Sequence, residues 1–432
     1  MFDRAKMIKL YVSDFHMGEG VDSPNESFKY HPPGVPMNDT RRDYVLDRHF
    51  ADFINWVLAN LRHCPDITLY LNGDIFDFST VRLPGQTISL PYEKDAAAKF
   101  KLILSAHPLF FDALARFLAA PNTRVKFFIG NHDFPLHWPS VQMMLCRRID
   151  SYRMDKVFPD RMGKIFFLSE EHSHGTYCRH GESEPHTKTN YRRPIIPAAE
   201  LRVLPRKLRV GKTSSPPRDI LDVSIGHDLS SDLVYNMRRH NYLVGRMHIH
   251  SYVWIDSLKH IPFETWYRQR WFFFYTAYYL TRTLSRYGFW AEFGKILRVL
   301  HWSFTGVLSG HTPRDLALKI LHDQDEVDCV VHSHEHDSAF EVTQVNGKTK
   351  TYINTGTWTP LWREKTQKQP APWKQLRRLQ TLALFVKSMF SESDLELIWK
   401  YPVAVEAIDE EGNITRQLAE WDKTEKTLKP LS

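Results

Sequence analysis

The sequence predicts an α/β fold built on a largely parallel sheet. Three short apolar segments, 7–14 (MIKLYVSD), 67–74 (ITLYLNGD) and 124–133 (RVKFFIGNHD), have the composition of buried strands that end at Asp, Gly or Asn. Helical patterns separate them, and strands that alternate with helices are typical of βαβ units. With 432 residues, the chain is long enough for two to three domains and a substantial core.

Helical patterns fill the gaps between these strands. Apolar residues between Phe50 and Leu61 recur at helical spacing, and a second helical pattern runs from about Lys99 to Ala119. Two more strand candidates follow, at 164–170 (KIFFLSE) and 176–182 (TYCRHGE). The first 182 residues therefore predict a nearly continuous strand and helix alternation.

The strand pattern returns late in the chain. After a strand candidate at 327–334 (VDCVVHSH), Asn346-Gly347 predicts a tight hairpin, and 403–409 with 414–421 predict a second hairpin. Between them, 373–390 (WKQLRRLQTLALFVKSMF) has the pattern of an amphipathic helix. We therefore divide the chain into residues 1–184 as the first part of a core, residues 185–325 as an insert, and residues 326–432 as the second part of the core.

The predicted insert is basic and aromatic. Between Pro185 and Asp325 there are 21 Lys and Arg against 11 Asp and Glu, and 21 − 11 gives +10, more than the net charge of +7 of the whole chain. Residues 252–304 hold 18 Phe, Trp and Tyr in 53 positions, which favours a helical subdomain. This charge predicts either a solvated basic surface or contact with an anionic partner.

Composition excludes several protein classes. The four cysteines, Cys64, Cys146, Cys178 and Cys329, form no C-x-x-C pair, which argues against a disulfide framework and a thiolate zinc site. The longest apolar and aromatic run, 271–280, is half of the roughly 20 residues that span a membrane. A strand-like run near Ile8 leaves no room for a secretory signal before it. We therefore expect a cytoplasmic protein.

Polar residues of metal-ligand type follow the predicted strands. They are Asp14 and His16 in SDFHMG, Asp74 and Asp77 in NGDIFD, Asn131, His132 and Asp133 in GNHD, His180 in RHGE, and His334 and His336 in HSHEH. Open α/β sheets build their sites at the carboxyl ends of strands, so these side chains are expected to meet. Carboxylates, imidazoles and an amide oxygen suit Mn, Fe, Zn or Co.

These five blocks, in this order, resemble the calcineurin-like metallophosphoesterases, whose pattern is D-x-H, G-D-x-x-D, G-N-H-D/E, a His and G-H-x-H. NTGTW at 354–358 also resembles the segment that follows the last block in that family. Ser333 stands where the family usually has Gly, a residue that provides permissive φ and ψ. The resemblance implies a four-layer α/β/β/α sandwich with residues 185–325 as a mainly helical cap.

The resemblance also implies two divalent cations. One cation would be held by Asp14, His16, Asp74 and His336, and the other by Asp74, Asn131, His180 and His334. Asp74 would bridge them, and a hydroxide shared by the ions would attack a phosphate monoester, diester or pyrophosphate.

The same resemblance gives roles to the acidic and imidazole groups beside the ligands. His132 would stabilise or protonate the leaving oxygen, with Asp133 orienting its imidazole. Asp77 would support a ligand or nearby backbone by hydrogen bonding.

Other histidines and cysteines are predicted to be structural. His332 has no counterpart in the family and is expected to be a packed or surface residue. The pairs His172 with His174 and His248 with His250 have ligand-like spacing without supporting partners. Cys178 and Cys329, inside strand candidates, are expected to be small buried apolar residues.

A narrower resemblance concerns GNHD followed by HWP, at 130–133 and 137–139, which is similar to a longer bacterial type of metallophosphoesterase. The UDP-2,3-diacylglucosamine pyrophosphatases are a more distant likeness, because they are shorter and typically have Arg where this chain has His132. Their lipid substrate is therefore not carried over to this chain.

Substrate choice is expected to depend on the insert, which leaves three interpretations open. Its aromatic faces pack only on each other, or they shape a pocket for a bulky or lipid-linked phosphate ester, or they stack on nucleic-acid bases. In the second case Arg192, Arg193, Arg268 or Arg270 would bind phosphate.

The predicted helix at 373–390 packs on the core or lies on a membrane surface. A phosphate-binding or scaffold protein without catalysis, or a nuclease, is the alternative to a phosphoesterase.

Overall fold

The computed structural model describes residues 4–19, 45–83, 92–150, 162–181, 194–198, 219–221, 313–359, 361–364 and 395–431. Most of the predicted insert, with His248, His250 and the four arginines named for phosphate binding, lies outside these described residues. The predicted helix at 373–390 lies outside them as well.

Sixteen strands are present among the described residues. In chain order they are β1 (Ala5–Val12), β2 (Ile67–Asn72), β3 (Thr123–Phe128), β4 (Ile165–Leu168), β5 (Glu170–Ser173), β6 (Thr176–Arg179), β7 (Ile195–Ile196), β8 (Ile220–Leu221), β9 (Cys329–His332), β10 (Ser338–Val345), β11 (Lys348–Thr355), β12 (Leu361–Glu364), β13 (Leu395–Ile398), β14 (Pro402–Asp409), β15 (Ile414–Asp422) and β16 (Thr427–Pro430). Every strand that the sequence predicted is among them.

The largest sheet is mixed and contains seven of the described strands, in the order β16-β15-β14-β1-β2-β3-β4. β1, β2, β3 and β4 pair in parallel, as the βαβ pattern predicted. The C-terminal strands extend the sheet with antiparallel pairs, beginning with β14 against β1. The α/β prediction is therefore confirmed, and the parallel pairing applies to one half of this sheet.

A second sheet contains five of the described strands, in the order β10-β11-β9-β6-β5. β6 and β9 are parallel neighbours, so their carboxyl ends lie side by side. β10 and β11 form the predicted hairpin, and both turn residues have positive φ, 51° at Asn346 and 78° at Gly347. Positive φ at both positions is the geometry that Asn-Gly favours in a two-residue turn.

Five α-helices lie among the described residues: α1 (Val45–Asn60), α2 (Glu93–Ala106), α3 (Pro108–Ala119), α4 (Pro139–Asp150) and α5 (Pro313–Asp323). The helical pattern that the sequence predicted from about Lys99 to Ala119 is confirmed, and it is divided between α2 and α3. Pro108 has no N–H to donate and its ring disfavours helical backbone before it, so the chain turns at His107.

No single described helix is long and apolar enough to cross a membrane. Among the described helices, the pair α2 and α3, bent by 86°, is the only one that reaches the required length and composition together.

The two faces of β1 serve different cores, as the period of two along a strand requires. Ile8 and Leu10 point to a large apolar cluster that includes Phe50 of α1. Tyr11 points to the other face, into a cluster that includes Ile353 of β11 in the second sheet. Cys178 and Cys329 belong to this second cluster, which confirms their prediction as buried apolar residues. Apolar side chains therefore join the two sheets.

A smaller cluster covers the second sheet on its other side. Val330 of β9 and Tyr352 of β11 pack with Ala317 and Leu321 of α5. α5 begins at Pro313, directly after the residues that lie outside the described ranges. One amphipathic helix therefore packs against β9 and β11.

A buried ion network links the two sheets beside their apolar cluster. Lys9 Nζ lies 2.6 Å from Glu406 Oε1, and both side chains are at most 3% exposed. Arg416 Nε donates to Glu406 Oε2 at 2.9 Å, and Thr176 of the second sheet donates to the same carboxylate. One carboxylate therefore balances two cations in a region with little access to water.

Glu406→Gln removes the negative charge of this network and leaves Lys9 buried without its counter-ion. We expect the free energy of unfolding to fall by about 3 to 5 kcal/mol, because breaking a buried pair leaves an uncompensated charge. Urea unfolding followed by circular dichroism measures the change. Asp112→Asn removes an exposed pair with Arg116 and is the matched control, with an expected loss below about 1 kcal/mol. Equal effects of the two substitutions would contradict the prediction.

Candidate metal centre

The predicted ligand blocks meet where strands of the two sheets end. β1, β2 and β3 end at one edge of the large sheet, and the parallel strands β6 and β9 end beside them. Backbone hydrogen bonds join the loops that follow: Asp14 N donates to Gly73 O at 3.1 Å, and His16 N donates to Asp74 O at 2.9 Å. Ser333 N donates to His180 O at 2.8 Å. Residues that are far apart in sequence are therefore held at fixed spacing.

Left-handed backbone is concentrated in these loops. The candidate ligands with positive φ are Asp14 at 53°, His16 at 48°, Asp74 at 52°, His334 at 70° and His336 at 61°. Such φ values cost roughly 1 to 2 kcal/mol for a residue with a Cβ, so they persist only where surrounding contacts impose them. The remaining described non-glycine residues of this kind are His174, Asn346 and Lys426. Strain of this type gathered in one place is typical of a functional site.

Asp14, His16 and His336 form the first donor group. His16 Nε2 lies 3.0 Å from His336 Nε2, and His336 Nε2 lies 3.2 Å from Asp14 Oδ1. The third separation, from His16 Nε2 to Asp14 Oδ1, is 3.8 Å. The three donor atoms therefore surround one small space.

Asp74, His180 and His334 form the second donor group, in which one ligand atom from each residue lies within 4.8 Å of the others. His180 Nε2 is 3.1 Å from Asp74 Oδ2, and the rings of His180 and His334 are 5.2 Å apart. The same Asp74 Oδ2 lies 4.0 Å from His16 Nε2 in the first donor group. Asp74 is therefore the side chain that joins the two groups, and its role as a bridge between two ions stays a prediction.

The separations between the donor atoms suit a bound divalent cation better than direct contact between the donors. Two ligand atoms that lie about 2.0 to 2.2 Å from one ion are about 3.0 to 3.5 Å from each other, which matches the shorter separations in both groups. His180 Nδ1 lies 2.8 Å from Asn72 O, an atom that only accepts, so Nδ1 carries the proton. In the neutral ring the lone pair then lies on Nε2, 3.1 Å from Asp74 Oδ2, and these two atoms suit one cation bound between them.

The pKa values of the imidazoles favour the neutral form that binds metals. Burial lowers the pKa of His334 to about 4, and the nearby His180 lowers it further. Burial also lowers the pKa of His16 well below its usual value, with an added contribution from His132. Neutral rings present lone pairs near pH 7, as coordination of a cation requires.

The carboxylates remain charged in spite of their burial. Burial by itself raises the pKa of Asp14, but the hydrogen bond with His336 and the nearby His180 hold it below its usual value. For Asp74 burial acts in the same direction, but His180, His132 and His16 together outweigh it and hold the pKa well below the usual range. Two buried anions surrounded by imidazoles make a strong attraction for cations.

His132 lies at the edge of the donor groups, with its ring 4.7 Å from that of His16. Its Nδ1 is 2.9 Å from Asp77 Oδ1, and Ser79 donates through both N and Oγ to the same Asp77 oxygen. His132 N donates to Asp74 Oδ1 at 2.8 Å. The structure therefore places His132 against Asp77 on one side and against the candidate bridging carboxylate on the other.

The predicted role of Asp133 in orienting His132 is wrong. Asp133 accepts hydrogen bonds from Gly130 N at 2.5 Å and from Ile75 N at 2.9 Å, both backbone groups. Burial and the charge of Asp74 raise the pKa of Asp133 to about 8. Asp133 thus ties the third loop to the second, and Asp77 is the carboxylate that contacts the imidazole. The prediction that Asp77 supports nearby groups by hydrogen bonding is confirmed.

Asn131 lies between two residues that contact Asp74. A Cβ at Gly130 would overlap Asp74 Oδ1, and His132 N donates to the same oxygen. The Asn131 side chain is half-buried, and its role as a ligand stays a prediction.

The histidines predicted to be structural are outside the donor groups, as far as the described residues show. His332 is fully buried, its Nδ1 lies 3.2 Å from Pro313 O, and burial lowers its pKa to about 3. It is the packed residue that the sequence predicted. His174 occupies a turn, where its Nδ1 is 2.9 Å from Ser173 Oγ, and His172 is in β5.

Two hydroxyl residues near the donor groups were not assigned by sequence reasoning. Thr357 Oγ1 donates to Asp14 O at 2.7 Å and so supports the left-handed backbone there. Ser333 Oγ lies 2.8 Å from His180 Nδ1. The segment 354–358 was noticed in the sequence, but nothing in it showed which atom Thr357 would reach.

A scan against protein-family models and a search of curated proteins found no match to this chain.

Gly130→Ala tests whether close approach of the third loop to Asp74 matters for cation binding. The added Cβ would overlap Asp74 Oδ1 and would lie 2.8 Å from His180 Cδ2, so both donors must shift. We expect affinity for Mn²⁺ to fall by roughly tenfold or more, measured by isothermal titration calorimetry, since misplaced ligands weaken a site. Gly347→Ala is the control, because a Cβ there meets nothing within 4 Å and its positive φ adds only local strain. Unchanged affinity in Gly130→Ala would contradict this account of the site.

Proposed function

We propose that this protein is a metal-dependent phosphoric ester hydrolase of the calcineurin-like metallophosphoesterase type. The observation that supports this most is the position of Asp74, which contacts both donor groups while His132 lies beside it. Two cations that share a carboxylate suit in-line displacement at phosphorus, because charge on the attacking and leaving oxygens needs to be neutralised together. The ordered blocks D-x-H, G-D-x-x-D and G-N-H-D support the same proposal.

The proposal includes the finer architecture. The helices that contact the large sheet, the two sheets and α5 would form the four layers of an α/β/β/α sandwich. Residues 185–325 would be the inserted cap, chiefly helical, and the site would open towards it. Support comes from the clusters on the two sides of β1 and from α5 on the second sheet.

Two sets of side chains would hold the cations. Asp14, His16, Asp74 and His336 would bind one ion, and Asp74, Asn131, His180 and His334 would bind the other. Their oxygen and nitrogen donors suit Mn, Fe, Zn or Co, and the described cysteines are buried elsewhere. When bound, the cations would supply positive charge for the phosphoryl oxygens and lower the pKa of coordinated water.

His132 would act as the general acid. With Nδ1–H donating to Asp77 Oδ1, the ring is held in one orientation and its charged form is stabilised by the carboxylate. The imidazolium would donate its Nε2 proton to the oxygen that leaves phosphorus and become a neutral imidazole. Ser79, which lies 3.2 Å from His132 Nδ1, would limit rotation of the ring.

The insert would determine the substrate. The donor groups are generic, and the basic excess of residues 185–325 favours an anionic substrate. Contact with lipid-linked substrates, nucleic acid or a membrane surface stays a prediction, because the residues concerned lie outside the described ranges.

Hydrolysis by the full chain is the direct test of the function. Protein loaded with Mn²⁺ is expected to cleave an aryl phosphomonoester, a diester or a pyrophosphate, and Asp74→Asn is expected to reduce the rate to background because both ions lose a ligand. Release of phenolate or phosphate measures the rate. Asp66→Asn, at the other end of β2, is the control and is expected to retain activity. Equal inactivity of wild type and Asp74→Asn across all three bond types and all four metals would favour a phosphate-binding protein without catalysis.

His132→Gln separates catalysis from cation binding. We expect the turnover number to fall by roughly 10² to 10⁴, the range for loss of a general acid, while metal content remains that of wild type. Steady-state kinetics and elemental analysis of the same samples give the two quantities. His322→Gln, at an exposed position on α5, is the control. Loss of metal together with activity would instead make His132 a ligand.

A further inference from the structure

Ser333 has more hydrogen-bonding contacts than a linker between two ligand loops requires. Its side chain is fully buried, and its Oγ lies 2.7 Å from Asn72 O, 2.8 Å from His180 Nδ1 and 2.9 Å from His180 O. The hydroxyl has one proton and two lone pairs, so it donates to one of the two carbonyl oxygens and accepts from a protonated His180 Nδ1. It therefore links the loop after β9 to the loops after β2 and β6.

The protons of this cluster have one consistent arrangement. Asn72 O and His180 O only accept, so the Ser333 hydroxyl donates to one of them. His180 Nδ1 is 2.8 Å from Asn72 O and 2.8 Å from Ser333 Oγ, and it must carry a proton that these two oxygens share. A bare Nδ1 would place its lone pair against a carbonyl lone pair. The neutral ring is thus the Nδ1–H tautomer.

This tautomer leaves the lone pair on the atom that faces Asp74. His180 Nε2 lies 3.1 Å from Asp74 Oδ2 in the second donor group. Gly73 also lies against this ring, because a Cβ there would overlap His180 Nδ1. Ser333 and Gly73 therefore both limit the ring at its Nδ1 edge, which leaves Nε2 towards Asp74.

We propose that Ser333 is a positioning residue that fixes the tautomer and the orientation of His180 for a divalent cation bound with Asp74 and His334. The proposal rests on the metal centre proposed above and adds a determinant of its affinity. The resembled family usually has Gly at this position, so the hydroxyl is a feature of this chain. Outer hydrogen bonds of this kind raise the basicity of a ligating imidazole and reduce its freedom before binding.

A purely structural role would predict different effects. Ser333 N already donates to His180 O at 2.8 Å, so the backbone joins the ends of β6 and β9 without the hydroxyl. If the hydroxyl only strengthened this junction, its loss would lower the stability of the cation-free protein and leave cation affinity unchanged. A positioning residue changes the affinity itself.

Calorimetric titration of the cation-free full chain with Mn²⁺ is the first test. Ser333→Ala and Ser333→Gly are both expected to weaken one of the two binding events by about 10- to 100-fold, the range for loss of a hydrogen bond to a ligating histidine. Thr123→Ala is the matched control, because the Thr123 hydroxyl is buried and donates to Phe117 O at 2.6 Å, at the amino end of β3. Urea unfolding of each cation-free variant shows its stability separately. Wild-type affinity in either serine variant overturns the proposal.

Nitrogen NMR of wild-type protein with ¹⁵N-labelled histidine is the second test and does not require a Ser333 variant to fold. Loaded with Zn²⁺, His180 is expected to show a protonated Nδ1 and a metal-bound Nε2, assigned by the loss of its signals in His180→Gln. The opposite tautomer overturns the proposal. If the wild type binds cations and hydrolyses esters while Ser333→Ala binds them equally well, only this inference fails. If the wild type binds no cation, the proposed function fails with it.

Discussion

The burial of two carboxylates, Asp14 and Asp74, is the constraint on which the rest of the site depends. A buried anion is costly unless positive charge or hydrogen-bond donors surround it. Here the neighbours are imidazoles and backbone N–H groups, with His132 N on Asp74 and His334 N 3.4 Å from Asp14. The described part of this cleft therefore has an excess of negative charge and lone pairs, and divalent cations are the groups that would balance it.

Strained loops become tolerable because polar contacts hold them from outside. Asp14 and Asp74 have left-handed backbone, and Thr357 donates to Asp14 O while Asp133 binds backbone N–H groups of two loops. Each contact is worth about 1 kcal/mol, comparable to the strain at one residue. The strained backbone thus lowers local stability but sets the direction of each donor atom. Ser333 acts in the same way on the tautomer of the His180 ring.

The packing of the two sheets against each other explains why the loops that bear the candidate ligands are held in fixed positions. Apolar side chains and the buried network around Glu406 join the two sheets, so the ends of β1 and β2 cannot slide past those of β6 and β9. The candidate ligands lie in the loops, and the packed sheets fix the points at which these loops begin. A site divided between two sheets depends on this junction as much as on its own ligands.

The sequence by itself determined the α/β class, the strands it predicted, both hairpins and the polar residues at the strand ends, because strand periodicity, Asn-Gly turns and strand-end polar residues are local signals. Tertiary structure alone decided that Asp77 rather than Asp133 contacts His132 and that Ser333 reaches His180. The physical reason is distance along the chain. These contacts join residues 55 and 153 positions apart and depend on loop curvature and strand register, and no local pattern of amino acids encodes either of these.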